Sequence, residues 1–433
     1  MNHSDKQKVW VVSVDMGYGH QRTAYPLKHL AFENEIINAN NYQGIPKRDR
    51  NIWQSTRKLY ETISRFKRVP LIGEFAFSVF DRFQRILAFY PNRDLSEPNF
   101  SLKRVYSLFK LGWGKHLIEK LKEKPRPIIS TFFTPTFMAE FFNYPSDIYC
   151  VVCDADIARP WVALKPGSSR IKYFAPTKRV VERLKLYGAK PENIFFTGYP
   201  LPLDNIGTKD LEILKHDLAY RLLNLDPKKR YFHQYQILID KYIGDLPEKS
   251  NHILTVMFAV GGAGAQREVG YKILKSLKNK IQNEQLKLIL VAGIREPVKN
   301  YFLDCIENLG LKTGVEIIFN NSIDGYFNDF NLALRKSDIL WTKPSELSFY
   351  TGLGLPIIIA PSIGSQEHYN REWLLNLGSG IVQQDPDYTN EWLFDLLESG
   401  WFAEAAMEGF IEAEKRGVFN IKEIISQPPD FSL

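Results

Sequence analysis

Short unbroken apolar runs, each closed by turn residues and followed by a stretch of helical spacing, recur along the chain. Lys8-Val-Trp-Val-Val-Ser-Val14 reads as a buried strand, ends at Asp15-Met-Gly-Tyr-Gly-His-Gln-Arg22, and leads into a helix-like run from Thr23 to Phe32. Further apolar runs at Pro127–Thr131, Ile148–Cys153, Ile171–Ala175 and Asn193–Thr197 continue that rhythm. Strands buried on both faces lose the polar alternation of half-exposed ones, so the pattern predicts a parallel sheet with helical crossovers.

After Tyr199-Pro-Leu-Pro-Leu-Asp204 the alternation pauses in a charged, helical stretch, then restarts at His252–Val260 and Gly261-Gly-Ala-Gly264. Strands at Lys287–Ala292, Val315–Phe319, Asp338–Trp341 and Pro356–Ala360 follow, separated by helical segments. The organisation predicted is α/β, two Rossmann-like doubly wound domains. Residues 1–204 form the first, 205–250 a helical linker, 251–389 the second, and 390–433 terminal helices that return toward the first.

Residues 45–113 break the rhythm and read as amphipathic helices inserted in the first domain. From Gly44 to Arg126, 19 Lys and Arg stand against 8 Asp and Glu, so the net charge of +7 is concentrated there and the rest of the chain is slightly acidic. Trp53, Arg57, Lys58, Tyr60, Arg65, Phe66, Lys67, Arg68, Phe75, Phe77, Phe80, Arg82, Phe83, Arg85 and Phe89 interleave aromatic rings with cations. That mixture suits an interfacial helix on anionic lipid, a buried subdomain with a solvated basic face, or stacking on nucleic-acid bases. The first reading, with no nucleic-acid partner, is carried forward.

Three cysteines, Cys150, Cys153 and Cys305, are too few and too odd for a disulfide framework and point to a reducing, cytoplasmic setting. The C-x-x-C spacing of the first two lies on an apolar strand and reads as packing. No apolar run is long enough for a membrane span, so membrane contact is expected to be peripheral, on the cytosolic face. The eight histidines show no metal-ligand spacing. No metal and no cofactor are expected.

Candidate chemistry clusters at strand ends. Gly17 and Gly19 let a backbone approach a ligand closely, and His20 beside them is a natural general base. Asp154 ends a strand and can orient a hydroxyl or pair with His20; Asp156 shares that strand end. Gly261, Gly262, Ala263 and Gly264 precede a helix and suit a phosphate cradle of backbone amides. Lys343, Ser345 and Glu346 form a second strand-end loop, with Ser345 fit to cap the next helix. Gly364, Ser365, Gln366, Glu367 and Asn370 form a third, where a carboxylate beside an amide can meet sugar hydroxyls.

Several of these stretches resemble one glycosyltransferase group. Asp15-Met-Gly-Tyr-Gly-His-Gln-Arg22 resembles the D-x-G-G-G-H-R opening of the monogalactosyldiacylglycerol synthases and processive diacylglycerol glucosyltransferases. It is also similar to the glycine-glycine-histidine turn of the peptidoglycan lipid-intermediate N-acetylglucosaminyltransferase. Val151-Val-Cys-Asp154 is similar to V-V-T-D, and Phe196-Thr-Gly-Tyr-Pro200 to T-G-(Y/I)-P. Thr342-Lys-Pro344, Gly354-Leu-Pro356 and Gly364-Ser-Gln-Glu367 with Asn370 resemble T-K-x-G, G-L-P and P-G-Q-E-x-x-N. The resemblance implies the GT-B fold and inverting, metal-independent transfer from a nucleotide sugar, UDP-linked, to a lipid or lipid-linked acceptor. It implies His20 at or near the base, Gly261–Gly264 at the diphosphate, Glu346 at the ribose, and Gln366 and Glu367 at the sugar.

This chain departs from the pattern at Tyr18, which replaces the middle glycine, and in the loop shortened to Lys343-Pro-Ser-Glu346. Counted back from Gly354, the ribose position falls on Phe349 rather than Glu346. Two other functions fit the architecture: nucleotide-sugar 2-epimerisation, and a non-catalytic binding protein on a degenerate transferase scaffold.

Overall fold

The computed structural model describes residues 8–55, 85–259, 264, 266–362 and 365–426. The chain divides into two compact units, one of Met1–Pro200, Ile363–Tyr369 and Arg416–Leu433, the other of Leu201–Ser362 and Asn370–Lys415.

The first unit is built on a six-stranded sheet of β1 (Val9–Ser13), β2 (Ala31–Asn38), β3 (Ile128–Ser130), β4 (Ile148–Val151), β5 (Lys172–Ala175) and β6 (Ile194–Phe196). The order is β2-β1-β3-β4-β5-β6, and every pair is parallel. Val11, Val12, Ile129, Cys150 and Phe174 are completely buried, as the unbroken apolar runs require. The first strand pairs with β2 on one side and β3 on the other, so the strand order reverses beside it. Crevices outside the carboxyl ends of strands at such a reversal are where open α/β sheets bind ligands.

Two local readings change. The helix after β1 begins at Tyr18 and ends at Ala24, a 3-10 turn covers Tyr25–Leu30, and Ala31–Asn38 is a strand where a helical run to Phe32 was expected. Glu33 and Asn34 take left-handed φ of 56° and 53°, and the register slips between Val9 and Val11, so this edge strand is irregular and half polar. In the basic aromatic stretch, residues 47–55 and Phe100–Lys110 are helical. Arg57, Lys58, Tyr60, Arg65, Phe66, Lys67, Arg68, Phe75, Phe77, Phe80, Arg82 and Phe83 lie outside the described residues.

Buried cations fix the loops of this unit. Asp156 is held by Arg183, which donates from Nε and Nη2 at 2.8 Å each, with both side chains buried. Arg159 donates to the carbonyls of Ser96, Val162 and Ala163, pinning the segment ahead of helix Phe100–Lys110 to the loop after β4. Asn99 then caps that helix through Leu102 N–H.

The second unit repeats the plan with β7 (Thr255–Ala259), β8 (Lys287–Gly293), β9 (Val315–Phe319), β10 (Ile339–Thr342), β11 (Ile357–Ile359) and β12 (Gly380–Val382). Its order is β12-β11-β10-β7-β8-β9, all parallel. Here the reversal falls beside β7, between β10 and β8. The helix Glu212–Leu225 packs behind the sheet through Arg221, whose buried guanidinium donates to the carbonyls of Ser337 and Leu353. Two doubly wound parallel domains of this kind are the GT-B architecture expected from the sequence.

Candidate active site

The first unit's site begins at the end of β1. Asn40 brackets Asp15, accepting from its N–H at 2.8 Å and donating to its carbonyl at 3.0 Å. Gly17 follows with φ 101° and ψ 170°, a conformation open to glycine, and ends the turn directly at helix Tyr18–Ala24. His20 therefore stands in the first turn of a helix, with Tyr18 and Gly19 beside it.

Thr131, completely buried just past β3, holds His20 at two points. Its hydroxyl donates to the His20 carbonyl at 2.9 Å, and its own carbonyl lies 2.8 Å from His20 Nδ1. A carbonyl oxygen can only accept, so Nδ1 carries the proton and the lone pair of the neutral ring sits on Nε2. Cys153 Sγ lies 3.4 Å from the same Nδ1. The sequence reading made Cys153 a packing residue; the fold brings it against the candidate base. Cys150, three residues earlier and within β4, is fully buried, and burial pushes its thiol up to about 12.

Asp154 follows Cys153 at the same strand end. Asp156, weighed with it, is committed to Arg183 and serves the fold.

Beside His20 the unit opens a cavity of about 830 Å³. Phe132 meets the imidazole edge-on with centroids 4.7 Å apart, and Trp161 stands 6.3 Å from it. Both rings line the cavity, with Trp53, Trp113, Leu102, Val105 and Leu108. Trp53 and Trp113 pack edge to face at 4.9 Å. Gln366, expected at the sugar hydroxyls, lies in this first unit and lines the same cavity. Of the aromatic residues here, Phe132, Phe133, Trp113 and Trp161 were not singled out as site residues. They are separated from His20 by about a hundred residues or more, and only the β1–β3 pairing brings them together.

The second unit gathers its candidates around its own strand reversal. At the ends of β10 and β7, Thr342 Oγ1 donates to the Ala259 carbonyl at 3.2 Å. Gly264 has φ 66°, and a Cβ there would lie 2.8 Å from Val298 Cγ2. Gly261, Gly262, Ala263 and Gly364 lie outside the described residues. Gln266, just before helix Arg267–Gln282, donates to the Pro361 carbonyl at 2.9 Å and ties the start of that helix to the segment after β11.

Ser345 accepts from Leu347 N–H and caps the 3-10 helix Glu346–Leu353, as its residue type suggested. Lys343 sits on the loop just before it. Asn370, completely buried, donates to the Pro344 carbonyl at 3.3 Å, so it reaches the Lys343–Ser345 loop from 26 residues away. Phe349, the position given by counting back from Gly354, is buried with its ring 5.0 Å from Trp373. A buried phenyl ring accepts no ribose hydrogen bond. Glu346 stands in the first turn with a carboxylate, and Glu367 in the first turn of helix Ser365–Leu377.

No side chains among the described residues form a group of three or more His, Cys, Asp or Glu able to hold a metal ion.

No family model matches the chain. It is similar to the processive diacylglycerol β-glucosyltransferase of Bacillus subtilis, 21% identical over 389 residues, covering 87% of this chain and 83% of the relative. The enzyme of the same name from Bacillus licheniformis is 21% identical with the same coverage. The fold is the GT-B architecture, and the relatives the chain resembles over most of its length are glycosyltransferases. Among solved structures, S. aureus MnaA with UDP aligns over 97% of this chain and 95% of its own, at 15% identity and a TM-score of 0.46.

Proposed function

We propose that this enzyme is an inverting transferase that moves a sugar from a nucleoside-diphosphate sugar, UDP-linked, to a hydroxyl of a lipid or lipid-linked acceptor. The observation that carries this reading is the Nδ1-protonated His20 beside an aromatic cavity large enough for acyl chains. A neutral imidazole with its lone pair on Nε2 accepts the acceptor proton as the hydroxyl oxygen attacks the anomeric carbon. The bond from that carbon to the diphosphate breaks, and the diphosphate leaves with the electron pair. Asp154, at the same strand end as Cys153, orients the acceptor hydroxyl.

The second unit supplies the donor side. Gly261–Gly264, which precede helix Arg267–Gln282 in sequence, are assigned to the departing diphosphate together with the positive end of that helix's dipole. Lys343 adds positive charge and Glu346 takes the ribose hydroxyls; the sugar hydroxyls are assigned to Gln366 and Glu367, which belong to the first unit. The diacylglycerol enzymes that the chain resembles over most of its length support a lipid acceptor.

Peripheral binding to an anionic membrane from the cytosolic side completes the reading. Phe100 and Leu111, 66% and 64% exposed, flank the helix whose inner face lines the cavity, and Lys103, Arg104 and Lys110 are exposed on the same helix. Among the described residues no helix is long and apolar enough to cross a membrane.

The test is transfer from labelled UDP-sugar into lipid vesicles by the full chain and by His20→Ala. Loss of transfer with unchanged nucleotide binding is expected in the variant. Near-native transfer by His20→Ala would remove the assigned base. Conversion of the nucleotide sugar without any acceptor would make the protein an epimerase instead.

A further inference from the structure

The cavity beside His20 is apolar in its depth and cationic at its edge. Lys47, Arg48 and Arg104 line it, all three exposed, and among the described residues no carboxylate does. Among the described residues none of the three takes part in an ion pair. The nearest acid in sequence, Asp49, is buried and turned to the Gly114 N–H, 3.1 Å away. A neutral lipid would need no such edge, and three cations with no ion-pair partner among the described residues repel one another around one opening, a repulsion that a bound anion relieves.

The apolar wall carries a second sign of an oxygen-bearing guest. Trp113 is 3% exposed, lines the cavity, and its buried Nε1–H has no hydrogen-bond partner. A buried indole N–H normally finds an acceptor, because leaving it unmet is costly. An ester carbonyl or phosphate oxygen at the junction between headgroup and acyl chains would meet it. Asn51, Ser55 and Ser101 add polar groups to the lining.

We infer that the acceptor lipid carries a phosphate, or an equivalent anionic group, next to the hydroxyl that receives the sugar. The inference rests on the transferase reading and sharpens it: the acceptor is a hydroxyl-bearing phospholipid, in place of the neutral diacylglycerol named for the relatives. Acyl chains occupy the Trp53, Trp113 and Trp161 wall, and the phosphate sits between Arg48 and Arg104. No bond to phosphorus changes. The hydroxyl gains the sugar and loses its proton as before.

Short-chain lipids below their micelle concentration separate this preference from attraction to a charged membrane surface. Dihexanoylphosphatidylglycerol, dihexanoylglycerol and glycerol 3-phosphate are titrated into the full chain, with tryptophan fluorescence as the readout and no donor present. The phospholipid should bind about tenfold more tightly than the neutral lipid, as three screened charge contacts together would give. Glycerol 3-phosphate, which lacks chains, should bind far more weakly than either. Arg48→Gln and Arg104→Gln should each narrow the gap about two- to fivefold and leave the neutral lipid unchanged.

Equal binding of the two lipids, equal weakening of both by the Gln variants, or no binding of the phospholipid overturns the inference. Tight glycerol 3-phosphate binding does so as well, since it would assign the cations to a free phosphate. The same three compounds are then offered with UDP-sugar. Faster transfer to dihexanoylglycerol than to the phospholipid defeats the inference and keeps the transferase reading. Selective phospholipid binding with no transfer defeats the transferase reading and keeps the anionic site.

Discussion

Replacing Thr131 by Val keeps the shape of a completely buried side chain and deletes one hydroxyl. That hydroxyl donates to the His20 carbonyl at 2.9 Å and stands 3.2 Å from the Ser13 hydroxyl. Losing one such bond and leaving its neighbours partly unmet costs about 1–3 kcal/mol of stability. The effect on chemistry is larger in kind. The main-chain contact from the Thr131 carbonyl to Nδ1 survives, so the tautomer is kept, but the first turn carrying His20 loses its second anchor. A displacement of about 1 Å in a reacting group can cost about 100-fold in rate. The assay is initial-rate transfer at saturating donor and acceptor, with donor binding measured in parallel. Thr131→Val should lower kcat by about 10- to 100-fold with donor KM unchanged, and Thr131→Ser should restore most of it. A kcat equal in Val and wild type, or a Ser variant as poor as Val, would falsify the anchoring role of Thr131.

Other outcomes follow from contacts away from the base. Asp156→Asn leaves the buried Arg183 guanidinium without its carboxylate and should cost about 3–5 kcal/mol, seen as a melting shift on the order of 10 °C; an unchanged melting curve would remove the ion pair from the fold's support. Gly354 has φ 67°, and a Cβ would fall 2.6 Å from Leu218 Cδ1. Gly354→Ala should therefore cost about 2–4 kcal/mol, combining backbone strain with overpacking, and Leu218→Ala in the same chain should recover part of it. Cys150 gives an alkaline signature. Burial raises its folded-state value to about 12 from an ordinary 9, so the folded thiol stays protonated where the unfolded one ionises. Stability is then full below pH 9 and falls as pH rises toward 12. Cys150→Ala should flatten urea midpoints between pH 9 and 10 relative to wild type, and an unaltered slope would assign that loss to other groups.

Most of the strands that were legible have neighbours on both sides, although the edge strands Ile194–Phe196 and Val315–Phe319 were read as well. Ile128–Ser130, Ile148–Val151 and Thr255–Ala259 are buried along their whole length and cannot be mistaken for amphipathic elements. The two edge strands that were missed lacked that mark. Ala31–Asn38 exposes Glu33, Asn34 and Glu35 and bends through two left-handed residues, while Gly380–Val382 is only three residues long. The site was legible in the same uneven way. Gly17 and His20 stand next to one another in sequence, so a glycine turn ending a strand points to them. Thr131 and Cys153 are 111 and 133 residues from His20, and only the pairing of β1 with β3 and β3 with β4 explains their meeting. Asn370 reads as a sugar ligand in the motif, and its amide also donates to the Pro344 carbonyl, a contact that no local spacing announces.

The main-chain carbonyl at Thr131 also bears on how such an enzyme could change. No side-chain exchange at position 131 can delete that acceptor, so the protonation pattern of the imidazole is insulated from drift in the residues around it. Trp53, Trp113 and Trp161, by contrast, shape the space for the guest through side chains alone. A lineage carrying this arrangement can retailor the wall for a new lipid, one aromatic ring at a time, while the same proton-accepting nitrogen remains ready for whichever hydroxyl arrives.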